Sequence, residues 1–519
     1  MADQIVFYHF NDVYHVNQPT LLSRFAYDFR QKGNAITVCS GDALGPSLES
    51  SMLKGEHIIP ILNHLDIDIA CYGNHDFDFG EDRLNELSAL CNFPFLLSNA
   101  FHPSGKLLAA AKEYVIREHL GYRIGFFGLA GTDWPSNCQH LPLGTIIGDP
   151  VEAAVRISRI LKEQENVDLV VAVTHMRLEE DLLVSEGCPL VDLILGGHDH
   201  DIVVQGDKLA VINDDAIGRI RIVKSGTDFR SYSVVRVPVH RVEGKVELGI
   251  IQVHHERDLS LVPQHPEDPD IPNLISSLHQ HITSISSKPL FYAGCPLDGR
   301  GSVIRTSETN LGNLLADVVR AYYNTDIAFV NSGSIRCDRI IPEGVLSMRD
   351  VVGMFSCTHQ ILPFGNVLVV KRVSAQALLR ALENSVSDSR TDGRFLQLSG
   401  MSIEVDFGRP EGSRILRVTV GEKNIFPSSS LDYFFNVAMS SFIADGFDGY
   451  TCFSGSDAET LISVEGAMTD TGIMLEILEE PPEELTFEHI ARSRKAVFAD
   501  GGRELPLIKP EIERRIVVV

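Results

Sequence analysis

Short apolar runs alternate with amphipathic stretches through the first half of the chain. The apolar runs are 5–10, 35–42, 67–76, 122–131, 168–176 and 190–200, and helical spacing of apolar residues marks 84–91 and 151–163 between them. Continuous apolar runs separated by helices are typical of an α/β domain. Most of the runs end in polar clusters flanked by glycine, and the sites of α/β proteins gather beyond the carboxyl ends of their strands.

A proline-rich segment separates this half from a second region. "VPQHPEDPDIP" (262–272) holds four prolines within eleven residues, which indicates a linker. Apolar residues then recur at helical spacing from Ile271 to Ile285, which predicts a connecting helix. The pattern after residue 290 predicts a helix over 311–322 and strands near 326–331, 366–372 and 433–439. We therefore predict one domain at 1–262, a linker and connecting helix at 263–289, and a second domain at 290–519.

Length and charge narrow the class of protein. A chain of 519 residues favours two large domains over a single core. A net charge of −25 argues against a nucleic-acid polymer as partner, because neutralising phosphates needs clustered Lys and Arg. It leaves room for a small anionic ligand held locally by metals or a few arginines. The oligomeric state leaves no trace in these features.

The sequence lacks the targeting signals of secreted and membrane proteins. No stretch approaches the roughly 18 uninterrupted apolar residues of a membrane helix. The first residues, Met1 to Gln4, lack the basic start of a secretory signal. Nine cysteines without a framework spacing indicate reduced thiols. We therefore expect a cytoplasmic protein without a membrane partner.

Five polar clusters follow the apolar runs, and each contains potential metal ligands. A lone Gly-Asp is usually a turn, so one cluster alone means little. Together, their carboxylates, an amide oxygen and imidazoles suit borderline divalent cations such as Zn, Mn or Fe. Asp42, in the middle of the series, could bridge two cations, and a pair ~3.5–4 Å apart can bind a phosphoryl group and activate water. The clusters are Asp12-Val13-Tyr14, Gly41-Asp42, "GNHDFD" (73–78), Thr174-His175 and "GGHDH" (196–200).

The motifs "GNHDFDFG" (73–80) and "GGHDH", in this order, resemble those of the calcineurin-like metallophosphoesterases. The resemblance implies an N-terminal four-layer αββα sandwich that holds two metal ions. His75 would face the phosphate, where it would stabilise the developing charge or protonate the leaving group, and Asp78 would orient it. One implied ligand set is Asp12, Asp42 and His200, and the other is Asp42, Asn74, His175 and His198.

Four motifs of the second region resemble the C-terminal domain of the 5′-nucleotidase/UDP-sugar hydrolase family. They are "RTSETNLGN" (305–313), "NSGSIR" (331–336), "PFGN" (363–366) and "SSFIADGFDGY" (440–450). The combined resemblance runs from about residue 4 to residue 475 and implies a separate C-terminal α/β nucleotide-binding domain. The acidic tail after residue 475 contains no motif.

The resemblance also implies which residues bind the substrate. Two aromatic rings, Phe364 and Phe442, would sandwich a nucleobase, and such stacking is worth roughly 1–3 kcal/mol. Asp448 would accept hydrogen bonds from the ribose hydroxyls. The polar clamp would consist of Arg305, Asn331 and Arg336, where arginine suits phosphate through two parallel bonds. Asn366 would add a base contact.

Tyr14 departs from the family, whose first motif has histidine at this position. A phenol with a pKa near ~10 is a poor ligand for a divalent ion at neutral pH. Tyr14 could bind as phenolate, which favours trivalent iron, as a tyrosine does in purple acid phosphatases. It could instead leave the first ion with one protein ligand fewer and an added water, the interpretation that we favour. The third alternative, a ligand from His15, conflicts with the opposite directions of adjacent strand residues.

The resemblance implies a metal-dependent phosphoesterase that converts nucleoside 5′-monophosphates to nucleoside and phosphate. Nucleotide sugars and 2′,3′-cyclic nucleotides are further implied substrates. One alternative is a phosphatase for a phosphorylated sugar or glycerate, against which Phe364, Phe442 and Asp448 argue. Another is a catalytically impaired ligand-binding relative, which the altered first motif favours and the His75–Asp78 pair opposes.

Overall fold

The computed structural model divides into two compact units, Met1–Gln280 and His281–Val519. The division falls inside the predicted connecting helix, which forms as Ile271–Ser286. The predicted domain bounds themselves stay a prediction. The structure describes residues 3–519 except 17, 139, 207–215, 219, 243–244, 258, 353, 355–366, 388–392, 427–431, 456, 480–486 and 500–504.

The first unit contains sixteen strands and seven α-helices among its described residues, and an eighth helix runs across the division between the units. The strands are β1 (Asp3–Phe10), β2 (Ile36–Ser40), β3 (Ile69–Cys71), β4 (Phe95–Leu96), β5 (Ala100–Phe101), β6 (Tyr114–His119), β7 (Tyr122–Ala130), β8 (Ile146–Ile147), β9 (Leu169–His175), β10 (Leu193–Gly197), β11 (Ile202–Gly206), β12 (Ala216–Gly218), β13 (Ile220–Ser225), β14 (Ser231–Val242), β15 (Lys245–Leu248) and β16 (Ile251–Arg257). The helices are α1 (Pro19–Arg30), α2 (Leu48–Leu53), α3 (Ile59–His64), α4 (Glu81–Leu90), α5 (Trp134–Asn137), α6 (Pro150–Arg159), α7 (Leu178–Gly187) and α8 (Ile271–Ser286).

Two sheets pack face to face in this unit. Within the described residues, one sheet has the order β12-β16-β14-β1-β2-β3-β4, with β15 beside β14, and the other has the order β11-β13-β10-β9-β7-β6. Their inner faces form one apolar core, in which Phe7 of β1 meets Phe126 of β7 edge to face at 6.2 Å. Both rings are fully buried, and each such burial stabilises the fold by roughly 1.5–3 kcal/mol.

Helices cover the outer faces of both sheets. Phe25 of α1 packs edge to face on Phe10 of the first sheet at 5.5 Å. On the second sheet, Ile157 of α6 and Val184 of α7 share a buried cluster with Ile194 of β10. Asp149 begins α6 by accepting the backbone N–H of Glu152. The unit is therefore the predicted αββα sandwich.

Parallel pairing brings the carboxyl ends of the central strands together. Strands β1, β2, β3 and β4 run parallel to one another, and so do β7, β9, β10 and β13. The predicted metal ligands all lie at these ends, after β1, β2, β3 and β10 and at the last residue of β9. The fold thus collects five separate stretches of sequence at one edge of the sandwich.

The second unit is also mixed α/β. Its described strands are β17 (Pro289–Ala293), β18 (Leu297–Asp298), β19 (Ile327–Asn331), β20 (Ile340–Ile341), β21 (Gly344–Ser347), β22 (Leu368–Ser374), β23 (Leu396–Ser399), β24 (Met401–Val405), β25 (Ile415–Val420), β26 (Lys423–Phe426), β27 (Phe434–Ser440), β28 (Ala458–Ile462), β29 (Phe498–Ala499), β30 (Leu507–Ile508) and β31 (Ile516–Val518). Its described helices are α9 (Gly301–Ile304), α10 (Asn310–Tyr323), α11 (Met348–Val352), α12 (Ala375–Ser385), α13 (Ser441–Ala444), α14 (Asp470–Leu478) and α15 (Glu488–Val497).

A sheet with the order β23-β19-β27-β22-β28 forms the centre of this unit. Thr309 begins α10 by accepting the backbone N–H of Gly312, and the helix buries Leu311, Leu314 and Val318. The tail after residue 475 joins this fold, because β30 pairs with β17 and β31 pairs with β24. None of the helices in the described part of the chain combines the length and apolarity that crossing a bilayer requires.

Candidate functional site

The backbone is strained where the candidate ligands lie. Asp12, Asp42, His198 and His200 all have positive φ values, of 55°, 52°, 80° and 59°. Non-glycine residues adopt this left-handed region at a cost of order 1–3 kcal/mol, and such strain clusters at functional sites. The fold therefore holds these four residues in backbone conformations that an unconstrained chain would rarely adopt.

The first predicted ligand set surrounds the hydroxyl of Tyr14. This oxygen lies 3.0 Å from Asp12 Oδ1, 3.2 Å from Asp42 Oδ2 and 2.7 Å from His200 Nε2. Asp12 turns its other oxygen away, since Oδ2 accepts the side-chain N–H of Asn11 and the backbone N–H of His198. The departure at position 14 thus lies inside the ligand set.

His15 lies outside that set. Its side chain is exposed, whereas Tyr14 is 7% exposed and reaches the candidate ligands. The two neighbouring side chains therefore lie in different environments. This difference counts against a ligand from His15 and leaves the other two interpretations of Tyr14.

The second predicted ligand set meets at His175. Its Nε2 lies 3.1 Å from Asp42 Oδ2 and 3.1 Å from Asn74 Oδ1. Its Nδ1 donates to the carbonyl of Ser40 at 2.8 Å, so the lone pair of neutral His175 lies on Nε2. Asp42 Oδ2 is common to both sets, because it faces His175 on one side and Tyr14 on the other.

His198 completes the second set. Its Nδ1 is buried and has no hydrogen-bond partner among the described residues. Potential ligand atoms of Asp42, His175 and His198 all lie within 4.8 Å of one another. His198 Nε2 lies 3.0 Å from Asp133 Oδ2, a contact that no sequence motif indicates.

The electrostatics of this pocket favour a cation. Burial lowers the pKa of His175, but the carboxylates of Asp42 and Asp12 outweigh it and raise that pKa to about 10. Burial opposes ionisation of Asp12 as well, yet His175 and His200 hold its pKa below the usual range. Carboxylates that hold a proton on His175 so firmly would equally favour a metal ion.

Burial raises the pKa of the Tyr14 phenol well above 10, and Asp12 and Asp42 raise it further. The neutral hydroxyl is therefore the form that these protein groups stabilise. A phenolate would need the charge of a bound ion to offset both effects.

The residues fit two metal ions. Asp42 Oδ2 and Asn74 Oδ1 both approach His175 Nε2 at 3.1 Å, so a cation that replaces the proton on this nitrogen would find three donor atoms close together. The mixture of imidazole, carboxylate and amide oxygen suits Zn, Mn or Fe. The buried Nδ1 of His198 adds a donor that hydrogen bonding in the described structure does not use.

His75 and Asp78 form the predicted pair. His75 Nδ1 lies 3.1 Å and 3.0 Å from the two Asp78 oxygens, and both residues are buried. Burial raises the pKa of Asp78, whereas His75 lowers it. The backbone N–H of His75 donates to Asp42 Oδ1 at 2.8 Å, which joins this pair to the ligand sets.

Asp76, in the motif "GNHDFD", is a structural residue of the candidate site for which the sequence indicated no role. Its Oδ1 accepts the N–H groups of Ala43 and Leu44, each at 2.9 Å. Its Oδ2 accepts those of Asp42 at 3.2 Å and Gly73 at 2.8 Å. The turn is tight, because a Cβ on Gly73 would meet the Asp42 carboxylate.

A group of buried charged residues lies beside the candidate ligands. Lys224 is fully buried, and its Nζ lies 2.5 Å from Asp199 Oδ2 and 2.9 Å from Asp181 Oδ2. Asp181 in turn accepts the hydroxyl of Thr174 at 2.6 Å, one residue before His175. The only sequence signal was a lysine within the apolar run "IRIVKS" (220–225).

The second unit brings three of the predicted substrate residues near the end of its central sheet. Asn331 ends β19 and its Oδ1 accepts the hydroxyl of Ser440, which ends β27. Phe442 is 40% exposed and stacks on Phe447 at 5.0 Å. Asp448 is exposed, has a φ of 52°, and its backbone carbonyl accepts the amide N–H of Asn384.

Of the other four predicted substrate residues, the structure describes two. Arg305 follows α9 and is half-buried, and Arg336 is exposed after the turn that begins at Asn331. Phe364 and Asn366 lie outside the described residues. The predicted sandwich of a base between two rings therefore has one described ring, Phe442.

Comparisons with known proteins support one family. The model of the family described as "5'-nucleotidase, C-terminal domain" matches residues 292–455. Over 461 residues the chain is 26% identical to the trifunctional nucleotide phosphoesterase protein YfkN of Bacillus subtilis, covering 81% of this chain and 30% of that protein. Over 458 residues it is 24% identical to 5'-nucleotidase of Homo sapiens, covering 81% and 76%. The fold is similar to that of Haemophilus influenzae NAD nucleotidase, with a TM-score of 0.75, 16% identity, and coverage of 100% of this chain and 99% of that chain.

Proposed function

Because the chain belongs to the 5′-nucleotidase family of phosphoric ester hydrolases, we propose that it is a metal-dependent phosphoesterase acting on nucleotides. We propose nucleoside 5′-monophosphates as its substrates and nucleoside and phosphate as its products. Nucleotide sugars and 2′,3′-cyclic nucleotides are further candidate substrates.

The convergence of two donor sets on Asp42 Oδ2 carries this proposal. One side of this atom faces Tyr14, beside Asp12 and His200, and the other faces His175, beside Asn74. A carboxylate oxygen shared in this way suits two adjacent cations rather than one. Such a pair, when bound, would polarise a phosphoryl group and a water molecule.

Two divalent ions are the proposed cofactors, and Zn, Mn or Fe fits the donors. Asp12, Asp42 and His200 would hold the first ion, and Asp42, Asn74, His175 and His198 the second. We propose that Tyr14 stays a neutral phenol beside the first ion, which then has one protein ligand fewer. The hydrogen bonds that the Tyr14 hydroxyl donates to the Asp12 and Asp42 carboxylates support a neutral phenol.

His75 would act on the phosphoryl group. Asp78 holds the ring through Nδ1, so Nε2 is the atom that would face the substrate. An oriented imidazole there can stabilise the charge that develops on phosphorus oxygens, and it can protonate the departing ribose oxygen. This pair argues against a protein that only binds its ligand.

The second unit would recognise the nucleoside. Phe442 exposes an aromatic face on which a base can stack, and the nearby Asp448 carboxylate could accept from two ribose hydroxyls. Arg305, Asn331 and Arg336 supply polar groups for the phosphate end. Phe364 and Asn366 keep the roles predicted for them.

A phosphate-release assay tests the function. Chelated protein is incubated with Mn²⁺ or Zn²⁺ and with AMP, a nucleotide sugar or ribose 5-phosphate. We expect metal-dependent release that is fastest from AMP and is lost in Asp42→Asn and His75→Asn. Release that survives chelation, or that is equal from ribose 5-phosphate, would refute the proposal.

The partner that we propose is therefore a small phosphorylated molecule. The eight cysteines that the structure describes are all free thiols, in keeping with a reducing compartment. The cytoplasmic location stays a prediction.

A further inference from the structure

Three residues from neighbouring strand ends meet beside the second ligand set. Asp133 follows β7, Arg177 follows β9 and His198 follows β10, and these strands are adjacent in the order β10-β9-β7. The Asp133 carboxylate occupies the centre of the group. Its Oδ2 lies 3.0 Å from His198 Nε2 and 3.1 Å from Arg177 Nε.

The contact with Asp133 determines which nitrogen of His198 can bind a metal. An ionised carboxylate only accepts hydrogen bonds, so the proton of a neutral His198 lies on Nε2. The lone pair is then on Nδ1, which is buried and without a hydrogen-bond partner among the described residues. In the other tautomer, a proton on Nδ1 would occupy the position that a metal ion needs.

Asp133 is itself held in place independently of His198. Asn137, on the short helix α5, donates its side-chain N–H to Asp133 Oδ2 at 2.8 Å. Arg177 holds the same oxygen and reaches toward Asp199 Oδ1 at 3.9 Å, between His198 and His200 in the sequence. A carboxylate fixed from two other elements can orient the imidazole rather than follow it.

We propose that Asp133 is a positioning residue for the second metal ion, which it serves by holding His198 with its proton on Nε2. The inference rests on the proposed function only as far as a metal ion binds there. Carboxylates that accept the outer N–H of a metal-binding histidine typically strengthen metal affinity by 10–100-fold. A purely structural role, as the partner of Arg177, would instead affect the stability of the metal-free protein.

The test measures metal binding without substrate. Asp133→Ala, Asp133→Asn and a matched control, Glu180→Gln, are stripped of metal and titrated with Mn²⁺ against a chelator. Glu180 suits the control because it accepts from Thr132, the residue before Asp133, and not from a candidate ligand. The unfolding of each metal-free variant is followed through Trp134, the only tryptophan of the chain.

In Asp133→Ala we expect one of the two Mn²⁺ ions to bind about 10–100-fold more weakly, with the other unchanged. Asp133→Asn should lose less, because an amide oxygen can still accept from Nε2. Glu180→Gln should bind both ions like the wild type. The proposal is overturned if Asp133→Ala binds both ions normally, or if both weaken equally in a metal-free protein that is itself less stable. A protein that binds two ions and hydrolyses no nucleotide would refute the proposed function alone.

Discussion

Replacing Asp76 by asparagine should destabilise the first unit strongly. Asp76 is 1% exposed, and its two oxygens accept four backbone N–H groups, those of Asp42, Ala43, Leu44 and Gly73. Asparagine has one acceptor oxygen, so whichever way the amide faces, its NH₂ group meets two N–H donors. The loop after β2 and the turn after β3 would lose half of the bonds that join them.

The magnitude follows from the two lost bonds. Burial raises the pKa of Asp76 to about 7, so the variants are compared about two pH units above that value, where its carboxylate is ionised. Hydrogen bonds to a charged group are worth roughly 1.5–3 kcal/mol each, which gives a loss of about 3–6 kcal/mol. Burying a neutral amide costs less than burying a carboxylate, which favours the lower end. A loss of about 3 kcal/mol lowers the unfolding midpoint of a unit of this size by roughly 6–12 °C.

Trp134 makes the measurement specific to the first unit. It is the only tryptophan in the chain, it is fully buried, and its Nε1 donates to the carbonyl of His175 at 3.0 Å. Thermal unfolding of chelated protein is followed by tryptophan fluorescence, so that differences in metal binding do not contribute. Asp82→Asn, an equal change of charge at an exposed helix start, is the control and should cost at most about 1 kcal/mol. If Asp76→Asn unfolds like this control, the reasoning about the four N–H groups is wrong.

Three further predictions concern metal, substrate and pH. Tyr14→His should lower the Mn²⁺ concentration that saturates the first site by about tenfold, because a neutral imidazole can bind the ion directly, whereas the phenol would first have to lose its proton. Unchanged saturation in a chelator titration would show that Tyr14 is already a ligand. Phe442→Ala should raise KM for AMP roughly 5- to 150-fold while KM for ribose 5-phosphate stays unchanged, and a parallel rise for both would contradict base stacking. Burial, with a smaller effect of His15, lowers the pKa of His57 to about 3, so the unfolded state takes up its proton first and stability falls as pH drops from about 6.5 toward 3. His57→Phe should therefore lose about 2 kcal/mol less than wild type between pH 7 and pH 5 in denaturant titrations, and an identical loss would refute this role.

The elements and the clustering of the candidate ligands could be predicted because their signals are local. The pattern predicted a helix over 311–322 and a strand near 326–331, and the structure has Asn310–Tyr323 and Ile327–Asn331. The ligand motifs likewise lie directly at strand ends, where the fold needs only parallel pairing to bring them together. Apolar periodicity and short motifs therefore sufficed for these parts.

Contacts between distant residues could not be predicted in the same way. Asp133 and His198 are 65 positions apart, and only the order of β7, β9 and β10 makes them neighbours. Lys224 occupies an apolar run where a cation would normally face solvent, yet it is fully buried because Asp181 of α7 and Asp199 after β10 both approach it. A sequence shows the charge of such residues and not their partners.

The backbone strain at the candidate ligands and the buried charges around them are both compensated by neighbouring residues. Four candidate ligands adopt left-handed conformations at a cost of order 1–3 kcal/mol each, and they also bring buried charges close together. The compensation lies outside the ligands, in Asp76, which holds the turn at Asp42, and in Lys224, which binds the carbonyls of Met176 and Gly197 beside His175 and His198. Asp76 and Lys224 bond to the backbone at or beside the candidate ligands and not to the ligand side chains. Tyr14 therefore lies among residues whose backbone is held by contacts in which its own side chain takes no part.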